Sequence, residues 1–103
     1  MVEINFFRPT TTIGIKKDDF KIALIGKIVE IKEGYFLLED EYGRIKIHYN
    51  PADQNFSKLK DGELIKVFCT KIDEELYCEF FQSLEGLDLN LLRKIEDLYF
   101  KLL

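Results

Sequence analysis

The sequence predicts an all-β domain with a terminal helix: a five-stranded Greek-key OB-fold barrel followed by a C-terminal amphipathic α-helix. Three features carry that expectation. Five stretches rich in β-branched and aromatic residues are punctuated by short turn signals. They fall into a group of three and a group of two, separated by a polar connector at 52–60, where an OB barrel commonly inserts a helix. A glycine, Gly26, interrupts the longest stretch, and the last stretch runs into apolar residues at helical spacing.

The first strand is expected at 21–32, where Lys27, Glu30 and Lys32 intrude among Ile22, Leu24, Ile25, Ile28, Val29 and Ile31. Glycine inside a strand marks a bulge or sharp bend, the device that lets one long strand serve two sides of a small barrel. A glycine merely tolerated on an edge strand is the alternative. Glu33-Gly34 turns the chain into a strand at 35–40, and Glu41-Tyr42-Gly43 into another at 44–49, completing a meander. Asn50-Pro51 stops the third strand, and 52–60 is read as a partly helical connector with Phe56 and Leu59 pointing inward. After Asp61-Gly62, strands at 63–72 and 75–84 form a hairpin around Asp73-Glu74. An SH3-like barrel is the runner-up, and the connector favours the OB arrangement.

Residues 1–20 show no sustained period and are read as an arm lying on the barrel. The chain thus divides into an arm at 1–20, a barrel at 21–84 and an oligomerisation helix at 85–103. In that helix Asp88 is the N-cap candidate. Leu91, Leu92, Ile95, Leu98, Tyr99 and Leu102 fall in one arc, opposite Asn90, Arg93, Lys94, Asp97 and Lys101. Leu91, Ile95, Leu98 and Leu102 also keep heptad spacing. Burying six large apolar side chains contributes on the order of 9–18 kcal/mol gross. One barrel end cannot cover so wide an arc, so the arc is read as a subunit interface; the alternative is a helix that closes its own barrel.

At 103 residues the chain is one domain with a modest core. Its 47% hydrophobic and 33% charged residues indicate a globular chain, neither disordered nor membrane-embedded. No apolar run approaches the roughly 18 residues of a spanning helix, and 1–12 lacks the apolar core of a signal peptide. The expected location is intracellular, in a prokaryotic cytoplasm or a eukaryotic nucleus. A net charge of -4 and a pI near 5.0 argue against gripping phosphate backbones by bulk electrostatics. Abundant Lys, Glu and Ile resemble the bias of hyperthermophile proteomes, which genome base composition also produces.

No metal or other cofactor is expected, because Cys69 and Cys78 lack metal or redox spacing and His48 is the single histidine. The cysteines read as buried, reduced core residues; a cross-strand disulfide would require their strands to be neighbours. Catalysis is not indicated: His48 has no nucleophile partner, and Ser57 and Ser83 sit in no nucleophile elbow. The acidic runs Glu39-Asp40-Glu41 and Asp73-Glu74-Glu75 fall in expected turns and read as solvated.

Binding single strands requires exposed aromatic faces beside cations that track the phosphates. With Ile45 and Ile47 inward, strict alternation puts Arg44, Lys46 and His48 on the outer face. The same rule nominates Lys66 and Phe68 from the fourth strand and Tyr35 from the second. Contact through three cations would lower log K with log salt at a slope near -2, at about -0.7 per phosphate. The alternative is ordinary solvated barrel surface, and the acidic Asp73-Glu74-Glu75 turn would repel phosphate.

Ile25-Gly26-Lys27-Ile28, Phe36-Leu37-Leu38 with Gly43 beyond, and Leu87-Asp88-Leu89-Asn90-Leu91 together resemble the small single-OB subunits of replication protein A, its smallest subunit most of all. The resemblance covers about 20–103, and the stretch opening the helix is its most specific part. It implies an assembly subunit of a single-stranded DNA-binding complex, joined to other OB-fold subunits by a bundle of C-terminal helices. Single-stranded DNA is a further implied partner, and no membrane is. Where that family usually has a generic acidic-glycine turn, Glu41-Tyr42-Gly43 interposes a tyrosine. A self-sufficient nucleic-acid-binding module and an OB adaptor in RNA metabolism or telomere maintenance remain the alternatives.

Overall fold

A computed structural model describes residues 7–84. The expected helix, with Leu91, Leu92, Ile95, Leu98, Tyr99 and Leu102, lies outside the described residues. Six strands follow in order: β1 (Arg8–Thr10), β2 (Lys21–Lys32), β3 (Tyr35–Glu39), β4 (Arg44–His48), β5 (Leu64–Ile72) and β6 (Glu75–Ser83), with one 3-10 turn, Gln54–Lys58, between β4 and β5. Hydrogen-bonded neighbours run β2-β3-β4-β6-β5, and β5 pairs in turn with β2. That is the expected Greek-key order. The β4–β6 pairing is parallel and two residues long, Ile47 opposite Leu76 and His48 opposite Tyr77, so the barrel is partly open at this seam rather than fully laddered.

The 12-residue β2 holds the two halves together. Its first part, Lys21 to Lys27, pairs antiparallel with β5, and its second, Lys27 to Lys32, with β3. Gly26 sits at the changeover. A Cβ there would lie 2.6 Å from the Glu39 carbonyl oxygen and 2.8 Å from Leu38 Cγ, so β3 can cross this close only against a bare backbone. The register shift itself comes later, between Ile28 and Glu30. The expected bulge therefore exists at Val29, and Gly26 answers to close approach.

Alternation along the strands produces the core. Ile22, Leu24, Ile28, Phe36, Leu38, Ile47, Ile65, Val67 and Cys69 are fully enclosed. Phe56, from the 3-10 turn, plugs one end of the core, its ring 5.4 Å from Tyr49 and 5.8 Å from Phe81. Leu59 packs against the same cluster. Asp53 caps the turn by accepting from the Asn55 N–H. The β5–β6 hairpin turns through Asp73 and Glu74, both at positive φ (50° and 69°), as a two-residue turn with the twist of its strands demands.

The arm departs from expectation by contributing a sixth strand: β1 adds to β2 in parallel, Arg8 opposite Ile22 and Thr10 opposite Leu24. Pro9 is accommodated because β1 is an edge strand. Arg8 clamps the arm by donating to both oxygens of Asp19, at 2.9 and 2.6 Å, and to the Gly14 carbonyl. This bond with Arg8 is the main cause holding the Asp19 carboxyl below its usual range. A second tie runs from the arm to the β3–β4 turn. Asp40 accepts from the Thr12 N–H and hydroxyl at 2.8 and 2.7 Å and from the Tyr42 and Gly43 N–H groups. Burial pushes the Asp40 carboxyl up, and these donors outweigh it, so the net shift is downward.

Two outcomes follow from this architecture. Gly26→Ala should cost about 2 kcal/mol in urea unfolding, because neither the Glu39 carbonyl nor β2 can retreat without breaking a ladder. Asp40→Asn should cost about 1–3 kcal/mol at neutral pH. A lowered folded-state pKa makes the carboxylate's contribution full above the ordinary carboxylate range and removes it as pH falls through the lowered value. The gap between wild-type and Asp40→Asn denaturation midpoints should therefore close in acid.

Candidate nucleic-acid interface

On the outer surface of β3, β4 and β6 a strip of aromatic and basic side chains forms. Tyr35 lies opposite His48 and Leu37 opposite Lys46 in the β3–β4 register. The Lys46 ammonium sits 4.4 Å from the centre of the Tyr35 ring, within cation–π range. The His48 ring stacks on Tyr77, centroids 4.9 Å apart and planes 22° from parallel. Lys46, Tyr35, His48 and Tyr77 thus form one continuous run across three strands. Tyr77 was not among the residues nominated from sequence. Alternation with Leu76 and Cys78 inward does put it outside, but its place beside His48 depends on the parallel β4–β6 seam, which no local pattern encodes.

The strip is electrostatically almost neutral. Arg44 Nε donates to Glu39 Oε2 at 2.9 Å, and His48 Nε2 lies 3.0 Å from Glu75 Oε1. Among the described residues, Lys46 is the strip's one cation without a carboxylate partner. Exposed ion pairs are weak, so a phosphate could compete for Arg44, but the carboxylate left behind would then oppose it. Asp73, Glu74 and Glu33 in the adjoining turns add negative charge and are all exposed.

Lys66 and Phe68 do not join this strip. They face outward from β5, which β6 separates from β4. Phe68 is 3% exposed: Phe80 stacks on it at 4.4 Å and Phe7 meets it edge-on at 5.4 Å. Lys66 lies 5.5 Å from the Phe68 ring centre. The sequence-based reading of Phe68 as an outward stacking surface is corrected by the arm, whose Phe7 covers it. Alternation gave the direction of the ring but could not reveal what lies over it. Lys21 sits above Phe7 at 5.0 Å and bonds Glu79 at 2.7 Å. Burial raises the Glu79 carboxyl, and bonds from Lys21 and Thr70 outweigh it to leave the group lowered. Among the described residues no cluster of three or more potential metal ligands occurs, and no helix is long and apolar enough to cross a membrane.

By sequence, the chain matches no family model and no curated protein. Solved structures do match. The telomere capping protein Ten1 from Saccharomyces pombe aligns with a TM-score of 0.75 and 18% identity, over 92% of this chain and 98% of that one. The fold is the OB fold. The S. pombe Stn1-ten1 complex gives 0.72 and 16% identity, over 92% of both chains. A replication protein A heterotrimer bound to ssDNA gives 0.61 and 13%, over 82% of this chain and 73% of that one. At such identities the OB domain is similar to these proteins in fold, and its chemistry must be read from its own residues.

With Lys46 the strip's one unpaired cation among the described residues, any binding of single strands by the barrel should show a log K against log salt slope of about -0.7 to -1.4, one or two phosphates' worth, in place of -2. Fluorescence anisotropy of a labelled oligonucleotide across a salt series measures it. Tyr77→Ala and Tyr35→Ala should each weaken binding by about 1–3 kcal/mol with the slope unchanged, while Phe68→Ala should act on stability instead.

Proposed function

We propose that the chain is an assembly subunit of a single-stranded DNA-binding complex of the replication-protein-A type. It joins partner OB subunits through segment 85–103, and its own barrel contributes a weak contact with the DNA. The role is non-catalytic and needs no cofactor. The observation that carries this reading is the near-neutral balance of the strip: Glu39 pairs with Arg44 and Glu75 bonds His48, leaving aromatic surface with little phosphate attraction. Such a face follows a strand already held by other subunits better than it captures one from solution. The fold-level likeness to a subunit of an ssDNA-bound heterotrimer supports it, as does the apolar arc of Leu91, Leu92, Ile95, Leu98, Tyr99 and Leu102.

A second reading is favoured by the Ten1 likeness, which spans nearly the whole of both chains. The same OB subunit would then serve a telomere-capping type of complex, with a different partner. The two readings share the barrel and the helix-borne interface and differ in partner.

Replacing Ile95 and Leu98 together with glutamate should leave the far-ultraviolet β signal and melting temperature of the barrel near wild type and abolish co-purification with the partner subunits. Undiminished co-purification would overturn the assembly reading. Submicromolar binding of an oligonucleotide by the isolated wild-type chain would replace it with a self-sufficient nucleic-acid-binding module.

A further inference from the structure

Cys69 and Cys78 are the chain's two cysteines, and the β5–β6 register sets them directly opposite one another. Residues so opposed in an antiparallel ladder have Cα atoms about 4.5–5.5 Å apart, within the roughly 4.4–6.8 Å that a disulfide spans. Both side chains point into the barrel, Cys69 fully enclosed and Cys78 8% exposed. Both are free thiols. Immediately beside them the ladder has slack: Phe68 pairs with Phe80 and Cys69 with Cys78, so Glu79 is the extra residue of a bulge. Cys78 Sγ donates across that bulge to the Phe80 carbonyl at 3.3 Å. Hydrogen bonding with Cys78, and burial, push the Cys69 thiol well up, which keeps it protonated and slow to react.

We propose that Cys69 and Cys78 are a reversible oxidation site, closing a cross-strand disulfide that staples β6 to β5 inside the barrel wall. The oxidant is a low-molecular-weight disulfide such as oxidised glutathione. The Cys78 sulfur, the more exposed, loses its proton and attacks the glutathione disulfide, forming a mixed disulfide and releasing one glutathione thiol. The Cys69 sulfur then loses its proton and attacks the Cys78 sulfur, forming the internal bond and releasing the second glutathione. Two electrons pass from the protein thiols to the oxidant, and the two protons end on the glutathione sulfurs.

Access comes through the weakest seam of the barrel. Both residue pairs between β4 and β6 lie at Leu76 and Tyr77, directly before Cys78, so local opening there uncovers the thiol. The staple in turn anchors Tyr77, the end of the aromatic strip. Reaction is set by this opening and proceeds over hours, and it is independent of whether the strip binds DNA.

The test is incubation of the full chain, at low concentration, in mixtures of oxidised and reduced glutathione, followed by alkylation and intact-mass measurement. The expected product has lost two hydrogens, takes up no alkylating agent, stays monomolecular in covalent terms and reverts with dithiothreitol. Its melting temperature should exceed that of the reduced chain, by on the order of 10 °C. Cys69→Ala and Cys78→Ala should each abolish the loss of hydrogens. Two thiols that still alkylate at every glutathione ratio would overturn the proposal. So would accumulation of glutathione adducts or disulfide-linked dimers alone, or an oxidised form that melts below the reduced one.

Discussion

The double pairing of β2 is the constraint on which everything else depends. One strand must lie against β5 along its first half and β3 along its second, and the backbone can make that passage only where no side chain intervenes. Gly26 supplies the gap against the Glu39 carbonyl, and Val29, three residues on, absorbs the register change. Once β2 bends, the inward residues of five strands converge on one cluster, and the rings of Phe36 and Phe56 fill its middle and end. Remove the bend and the meander and the hairpin become two small sheets, each too thin to bury a core.

The arm changes the character of the surface. Asp19 and Asp40 each gather several donors, and both act on residues 8–14, adding charge-assisted hydrogen bonds to the β1–β2 pairing that holds a segment of little hydrophobicity. Phe7 adds an apolar anchor, and its contact with Phe68 and Phe80 converts what would be an exposed aromatic face into a second, smaller hydrophobic cluster. One outer flank of the barrel is thereby sealed. The other, carrying Tyr35, Lys46, His48 and Tyr77, remains open, with its cations largely satisfied by carboxylates from the same strands.

That division leaves the domain one open flank that is aromatic and nearly neutral in charge. Aromatic surface attracts bases at short range, whereas cations govern capture at a distance. Several basic residues lie in couples with nearby acids, such as Arg44–Glu39 and Lys21–Glu79, so their charge is met locally rather than gathered into a field of one sign.

Strand positions, turns and the inward set were legible from the sequence because they are local. Alternation decides which side chains face a core, and Gly, Pro, Asn and Asp decide where strands stop. The shared outward face of Tyr35, Lys46 and His48 was legible this way, since neighbouring strands joined by short turns share a face almost by necessity. What lies between distant segments was not legible. The three residues of β1 have no period, and only their pairing with the edge of β2 makes them a strand. Tyr77 stands beside His48 because β4 and β6, separated by the whole of β5, touch for two residues. Phe68 is covered because Phe7 reaches it from 61 positions away in the chain. Sequence by itself determined the five-strand core of the OB barrel and the direction its side chains face, which are properties of a strand and its turn. Tertiary structure alone decided which outward residues share a surface, which are paired and which are covered, because these depend on contacts between segments that no local periodicity records.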